Sequence, residues 1–152
     1  MSKIEAVLFD LDGTLLDSFP DFLASLENIN INSSSKKIDE NIVRANVSDG
    51  SSKLLKLVFD IDADDEGFDE HKRNFLNEYE KNILMYGNLF HGVSDLLNFL
   101  LDKKIPYGIV TNKPRKYTEI ILKKSSLLRQ SKVVICCCLL YTSPSPRDSD
   151  TS

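Results

Sequence analysis

The sequence predicts an α/β fold, in which a parallel sheet is interrupted after its first strand by a block of helices. Three observations carry this. The apolar run Ala6-Val7-Leu8-Phe9 leads directly into Asp10-Leu11-Asp12-Gly13-Thr14. A second apolar stretch, 105–110, ends on Thr111-Asn112-Lys113-Pro114. Between the two, apolar residues recur at helical rather than alternating spacing. Strands separated by helices imply parallel pairing with right-handed crossovers.

Taken in order, 4–9 is the first strand, and its unbroken apolarity predicts burial on both faces. Ser18-Phe19-Pro20-Asp21 reads as a helix start, with Ser18 as cap, Pro20 in the first turn and Asp21 at the positive end. Phe22, Leu23, Leu26 and Ile29 follow on one face. A polar loop at 30–35 precedes two short amphipathic helices, 38–47 and 51–59, around Asp49-Gly50. An acidic loop, 61–67, lacks the spacing of a twelve-residue calcium loop and reads as a solvated turn. The longest helix is predicted over 68–85, with Phe68, Phe75, Leu76, Tyr79 and Ile83 on one face. Val93, Leu96, Leu97, Leu100 and Leu101 then mark a core-facing helix, with Lys103 and Lys104 at its negative end. After the second strand, Tyr117, Ile120 and Ile121 mark a further helix, and 131–135 a third strand. His91 reads as a turn residue and His71 as solvent-facing.

Composition excludes several classes. The chain has 152 residues, 41% hydrophobic and 28% charged, and a net charge of −4. This is the profile of a globular domain with a core, and it offers no basic field for nucleic acid. No apolar run approaches the ~20 residues of a membrane span. A strand at the N-terminus is not a signal peptide, so the expected compartment is cytoplasmic. Cys136, Cys137 and Cys138 are contiguous, which suits neither a zinc site nor a disulfide framework.

The acid pair lies where the first strand stops, and open α/β sheets bind ligands outside the carboxyl ends of their strands. The run Asp10-Leu11-Asp12-Gly13-Thr14 is similar to motif I of the haloacid dehalogenase-like phosphotransferases, and that resemblance implies a carboxylate that accepts a phosphoryl group and passes it to water, splitting one hard step into two. A second carboxylate can protonate the leaving oxygen and later activate water. Phosphoryl oxygens repel a bare carboxylate, and a hard cation such as Mg²⁺ removes that repulsion. Gly13 permits a tight turn and is expected to leave an amide facing the phosphate.

Asp10-Leu11-Asp12-Gly13-Thr14 resembles motif I of the haloacid dehalogenase-like phosphotransferases, and Thr111-Asn112-Lys113-Pro114 resembles motif II. The resemblance implies a Rossmann-like core (1–15 and 86–136) with an inserted helical cap (16–85). It makes Asp10 the nucleophile and Asp12 the general acid/base. Asp10, with the main-chain carbonyl of Asp12, would hold Mg²⁺. Gly13, Thr111, Asn112 and Lys113 would bind phosphate, and Pro114 would open a helix whose amides favour anions. Leu16-Asp17-Ser18-Phe19-Pro20-Asp21 and the Thr-Asn-Lys-Pro form of motif II look like the phosphoglycolate phosphatase group. The Gly-rich cap segment of that group has only a weak counterpart in 46–50. The implied activity is Mg²⁺-dependent hydrolysis of a small phosphorylated metabolite through an aspartyl-phosphate. A sugar-phosphate phosphatase, a pyrophosphatase, a phosphoglucomutase-like enzyme, and an inactive fragment or non-catalytic binding relic are the alternatives.

Two further motifs of that superfamily, a lysine and a later acidic pair, have no counterpart in this sequence. The core is therefore expected to be incomplete at its C-terminal side. Residues 137–152 are Pro/Ser-rich and resemble a translated sequencing adapter, and no function is expected of them.

Overall fold

The computed structural model describes residues 2–30 and 37–137. Of the loop predicted at 30–35, Asn30 ends a helix and 31–35 lie outside the described residues, as does the tail from 138 onward. Two compact units are present, one built from 1–16 and 89–152, the other from 17–88.

The first unit holds a three-stranded parallel sheet. β1 (Val7–Phe9) pairs with β4 (Tyr107–Thr111), and β4 pairs with β5 (Val134–Cys136). β4 lies in the middle and is mostly buried, as its apolar run predicts. β1 departs from expectation. It is three residues long, and Leu8 is 62% exposed. Among the described residues β1 is paired along one edge only, and Leu8 projects from the sheet into solvent. α5 (Val93–Asp102) buries Val93, Leu97 and Leu100. Leu96 and Leu101 are exposed, because a helix packed on one side buries a single stripe. α6 (Arg115–Lys124) buries Tyr117, Thr118 and Ile121. A short helix the apolar pattern did not signal, α7 (Ser126–Arg129), is capped by Ser125, whose hydroxyl accepts from the Leu128 amide.

Gly108 marks a close approach between strands of the sheet. A Cβ there would lie 2.6 Å from Val133 Cγ1 and 3.0 Å from both Leu8 Cδ2 and Val133 O. The backbone oxygen cannot rotate away, so overpacking is forced. Gly108→Ala is expected to cost about 1–3 kcal/mol, read as a lowered urea midpoint; an unchanged midpoint would show that the strands can part without penalty.

The second unit is helical. α1 (Phe19–Asn30) packs on α4 (Phe68–Asn82), and α2 (Glu40–Ala45) and α3 (Ser51–Phe59) complete it. Phe22 stacks on Tyr79 with centroids 4.5 Å apart, and Phe75 lies 6.1 Å from Phe22. α4 stops three residues short of the predicted end, and Ile83 is buried just beyond it. α2 is shorter than the predicted 38–47, capped by Asp39, whose carboxylate accepts from the Asn41 amide. Ser18 stands before α1, but its hydroxyl is buried and accepts no cap bond. Asp21 does more than face a helix dipole. Its buried carboxylate accepts from the amides of Leu84, Tyr86 and Gly87, each at 2.9 Å. Two short strands, β2 (Leu16–Asp17) and β3 (Asn88–Leu89), pair where the chain passes between the units. His91 is exposed, while His71 is half-buried rather than solvent-facing.

Candidate active site

The parallel register places the functional residues of the first unit at one end of the sheet. Phe9 is opposite Ile109, so Asp10 leaves β1 beside the last residues of β4, where Thr111 ends the strand. Asp10 is exposed, and its Oδ1 accepts from the Leu11 amide at 2.8 Å. That bond holds the carboxylate close to its own main chain. Leu11 is fully buried and anchors the turn, its carbonyl accepting from the amides of Thr14, Leu15 and Leu16.

Gly13 has φ +82°, a conformation that side chains disfavour, so glycine is needed for the turn. Its amide, however, donates to the Leu16 carbonyl at 2.9 Å. The expectation of a free amide for phosphate is therefore corrected. The turn closes on itself, and an N–H already satisfied within the chain is not available to an anion.

Thr111 is buried. Its Oγ1 accepts from the Lys113 amide at 3.1 Å, which uses the acceptor side of the hydroxyl and directs its hydrogen elsewhere. Asn112 is exposed beside it. Pro114 stands at the cap of α6 rather than inside it, and its carbonyl accepts from Tyr117 and Thr118. Lys113 is neither solvated nor facing outward. It is 8% exposed, and its Nζ donates to Asp12 Oδ2 at 2.9 Å. Both side chains of this ion pair are at least nine-tenths buried. A charge-assisted bond of this length inside a protein is strong, and either charge left alone there would be costly. Composition gave no sign of the pair, since the partners are 101 residues apart. The one available signal was that both follow strands predicted to lie in the same parallel sheet.

Among the described residues, no three His, Cys, Asp or Glu side chains are grouped to hold a metal ion. The sheet end offers the exposed Asp10 carboxylate. Mg²⁺ takes oxygen donors, often one or two carboxylates with waters completing its shell. The chemistry of that donor suits such a cation.

Residues 7–147 match the family model described as haloacid dehalogenase-like hydrolase. The chain belongs to this family. The match of the haloacid dehalogenase-like model runs past Cys136, into residues outside the described structure. The chain is 33% identical over 122 residues to the N-acetylmuramic acid 6-phosphate phosphatase of Pseudomonas putida, covering 80% of this chain and 55% of that protein. It is 38% identical over 117 residues to the phosphoglycolate phosphatase of Xanthomonas campestris pv. campestris, covering 77% of this chain and 52% of that protein. The chain thus spans about half the length of the curated relatives it matches. The fold resembles the crystal structure of a predicted phosphoglycolate phosphatase from Haemophilus somnus, with a TM-score of 0.76 at 24% identity, covering 90% of this chain and 64% of that one. Among the described residues no helix is long and apolar enough to cross a membrane.

Proposed function

We propose that this chain carries the nucleophile half of a phosphomonoester hydrolase. The observation that carries the reading is the placement of Asp10 and Thr111 at neighbouring strand ends, with Asp12 close behind on Lys113. Asp10 attacks phosphorus, and the ester P–O bond breaks. The proton on the monoanionic ester's phosphate passes through the Asp12 carboxylate to the leaving oxygen. Water then attacks the aspartyl-phosphate, its proton passes through Asp12 to the departing inorganic phosphate, and Asp10 is regenerated. The Thr111 hydroxyl donates to a phosphoryl oxygen, and Asn112 borders the same group. Mg²⁺ held by Asp10 and the Asp12 carbonyl would neutralise phosphoryl charge.

The substrate is a small phosphorylated metabolite. The relatives named above act on N-acetylmuramic acid 6-phosphate and phosphoglycolate, and both compounds join a phosphomonoester to a carboxylic acid. We place this chain's substrate in that class, with 2-phosphoglycolate as the first candidate.

The test is phosphate release from a panel of phosphomonoesters, on a chain shown by circular dichroism to be folded. Release from carboxylate-bearing esters is expected, and chelation by EDTA is expected to remove it. A folded chain that neither releases nor binds inorganic phosphate would overturn the reading for this polypeptide.

A further inference from the structure

Lys113 makes two contacts that no phosphate ligand would require. Its amide donates to Thr111 Oγ1 at 3.1 Å, and its ammonium donates to Asp12 Oδ2 at 2.9 Å. One residue thereby fixes the hydroxyl at the end of β4 and the second acid after β1. The ammonium lies in a side chain 5% exposed, against a carboxylate whose side chain is 10% exposed. An ion pair this deeply buried is held by mutual neutralisation, and its geometry is stiff because a lone buried charge is so unfavourable.

We propose that Lys113 is a positioning residue that acts through Asp12, rather than a direct ligand of the phosphoryl group. The proposal rests on the phosphomonoester reading above. The ammonium holds the Asp12 carboxylate in one rotamer and balances its charge. The phosphate site beside Thr111 thus meets a neutral pair instead of an anion. The amide of the same residue presets Thr111 as a donor. The sheet end would carry its proton-transferring acid without that acid repelling the substrate.

This reading makes a charge-balance prediction that direct phosphate contact does not. Four proteins are compared: the unaltered chain, Lys113→Met, Asp12→Asn and the double variant. Inorganic phosphate affinity is followed by titration calorimetry, and stability by urea denaturation. If Lys113 acts through Asp12, Lys113→Met exposes the phosphate to an unbalanced carboxylate and weakens binding by about tenfold or more. Asp12→Asn leaves an unbalanced ammonium and tightens binding by a similar factor. The double variant returns to within about threefold of the unaltered chain, because the pair is removed together. The unfolding constant follows the same pattern. It rises on the order of 10²–10³-fold in Lys113→Met, as for a buried pair broken on one side, and largely recovers in the double variant.

A double variant that binds phosphate as weakly as Lys113→Met would overturn the proposal and make Lys113 a direct ligand. Absence of coupling between the two substitutions in stability would overturn it as well, while leaving the phosphomonoester reading intact if phosphate still binds. Coupling in stability without phosphate binding by the unaltered chain would defeat the phosphomonoester reading itself, and would reduce Lys113 to a structural ion pair. Should Lys113→Met fail to fold, Lys113→Arg supplies the same contrast. It keeps the charge, and is expected to hold phosphate affinity within about threefold if balance is what matters.

Discussion

Asp10→Asn is expected to abolish phosphate release, by on the order of 10⁴-fold or more, the scale of loss when a covalent nucleophile is removed. The amide is a poor nucleophile towards phosphorus, so the first step has no entry. The fold should not notice. Asp10 is exposed, and an asparagine oxygen can still accept from the Leu11 amide. Surface substitutions of this kind usually alter stability by no more than about 0.5 kcal/mol. Binding of inorganic phosphate should persist or strengthen, since one anionic group near it is gone. The two readouts together separate chemistry from binding. Turnover surviving within tenfold would show that phosphoryl transfer does not pass through Asp10.

Asp21→Ala is expected to be the most destabilising substitution in the helical unit, costing about 3 kcal/mol or more. Three amides at 84, 86 and 87 lose their acceptor at once, and each partly buried N–H left unpaired costs about 1–3 kcal/mol. Solvent reaches Tyr86, which is exposed and lowers its share. Leu84 adds to the effect. It sits at φ +57°, which a leucine adopts only when its surroundings hold it there, and its amide bond to Asp21 is one of those holds. Asp21→Asn should fall between, since its amide has one acceptor oxygen and turns a donor towards the remaining N–H groups. Gly87 reports on the same junction. A Cβ there would come within 2.6 Å of Asp21 Oδ2 and 2.7 Å of the Asp17 carbonyl, so Gly87→Ala displaces the carboxylate from its amides. The two alanine variants should therefore be strongly non-additive in urea denaturation. A loss under about 0.5 kcal/mol in Asp21→Ala would mean that water replaces the carboxylate without cost.

Much of this molecule was readable from local pattern. The helical spacing of Phe22, Leu26 and Ile29, of Phe68, Phe75 and Tyr79, and of Val93, Leu97 and Leu100 corresponds to buried stripes in the structure. Such stripes are local consequences of a 3.6-residue repeat, and neighbours in sequence suffice to show them. The apolar run of β4 likewise announces a central strand. Asp10 and Asp12 stood out because the whole run from Val7 to Ser18, with Gly13-Thr14 directly after the acids, resembles motif I of the family.

The rest depended on contacts between segments far apart in the chain. β1 has the same apolar character as β4 but is exposed at Leu8, because burial is set by what lies alongside a strand and not by its composition. Asp21 has the sequence context of a first-turn acid, yet its carboxylate serves amides more than sixty residues away. Gly13 supplies the turn but not a phosphate donor, since the loop's own Leu16 carbonyl takes its hydrogen. Lys113 is the sharpest case. A lysine in a turn is ordinarily solvated, and only the parallel register of β1 and β4 brings it to Asp12 in a buried pair. Local sequence specifies periodicity and turn chemistry, because these act over a few residues. Which charges meet, and which amides remain for a ligand, is decided when the strands align, because charge pairing and hydrogen bonding depend on distance in space rather than along the chain.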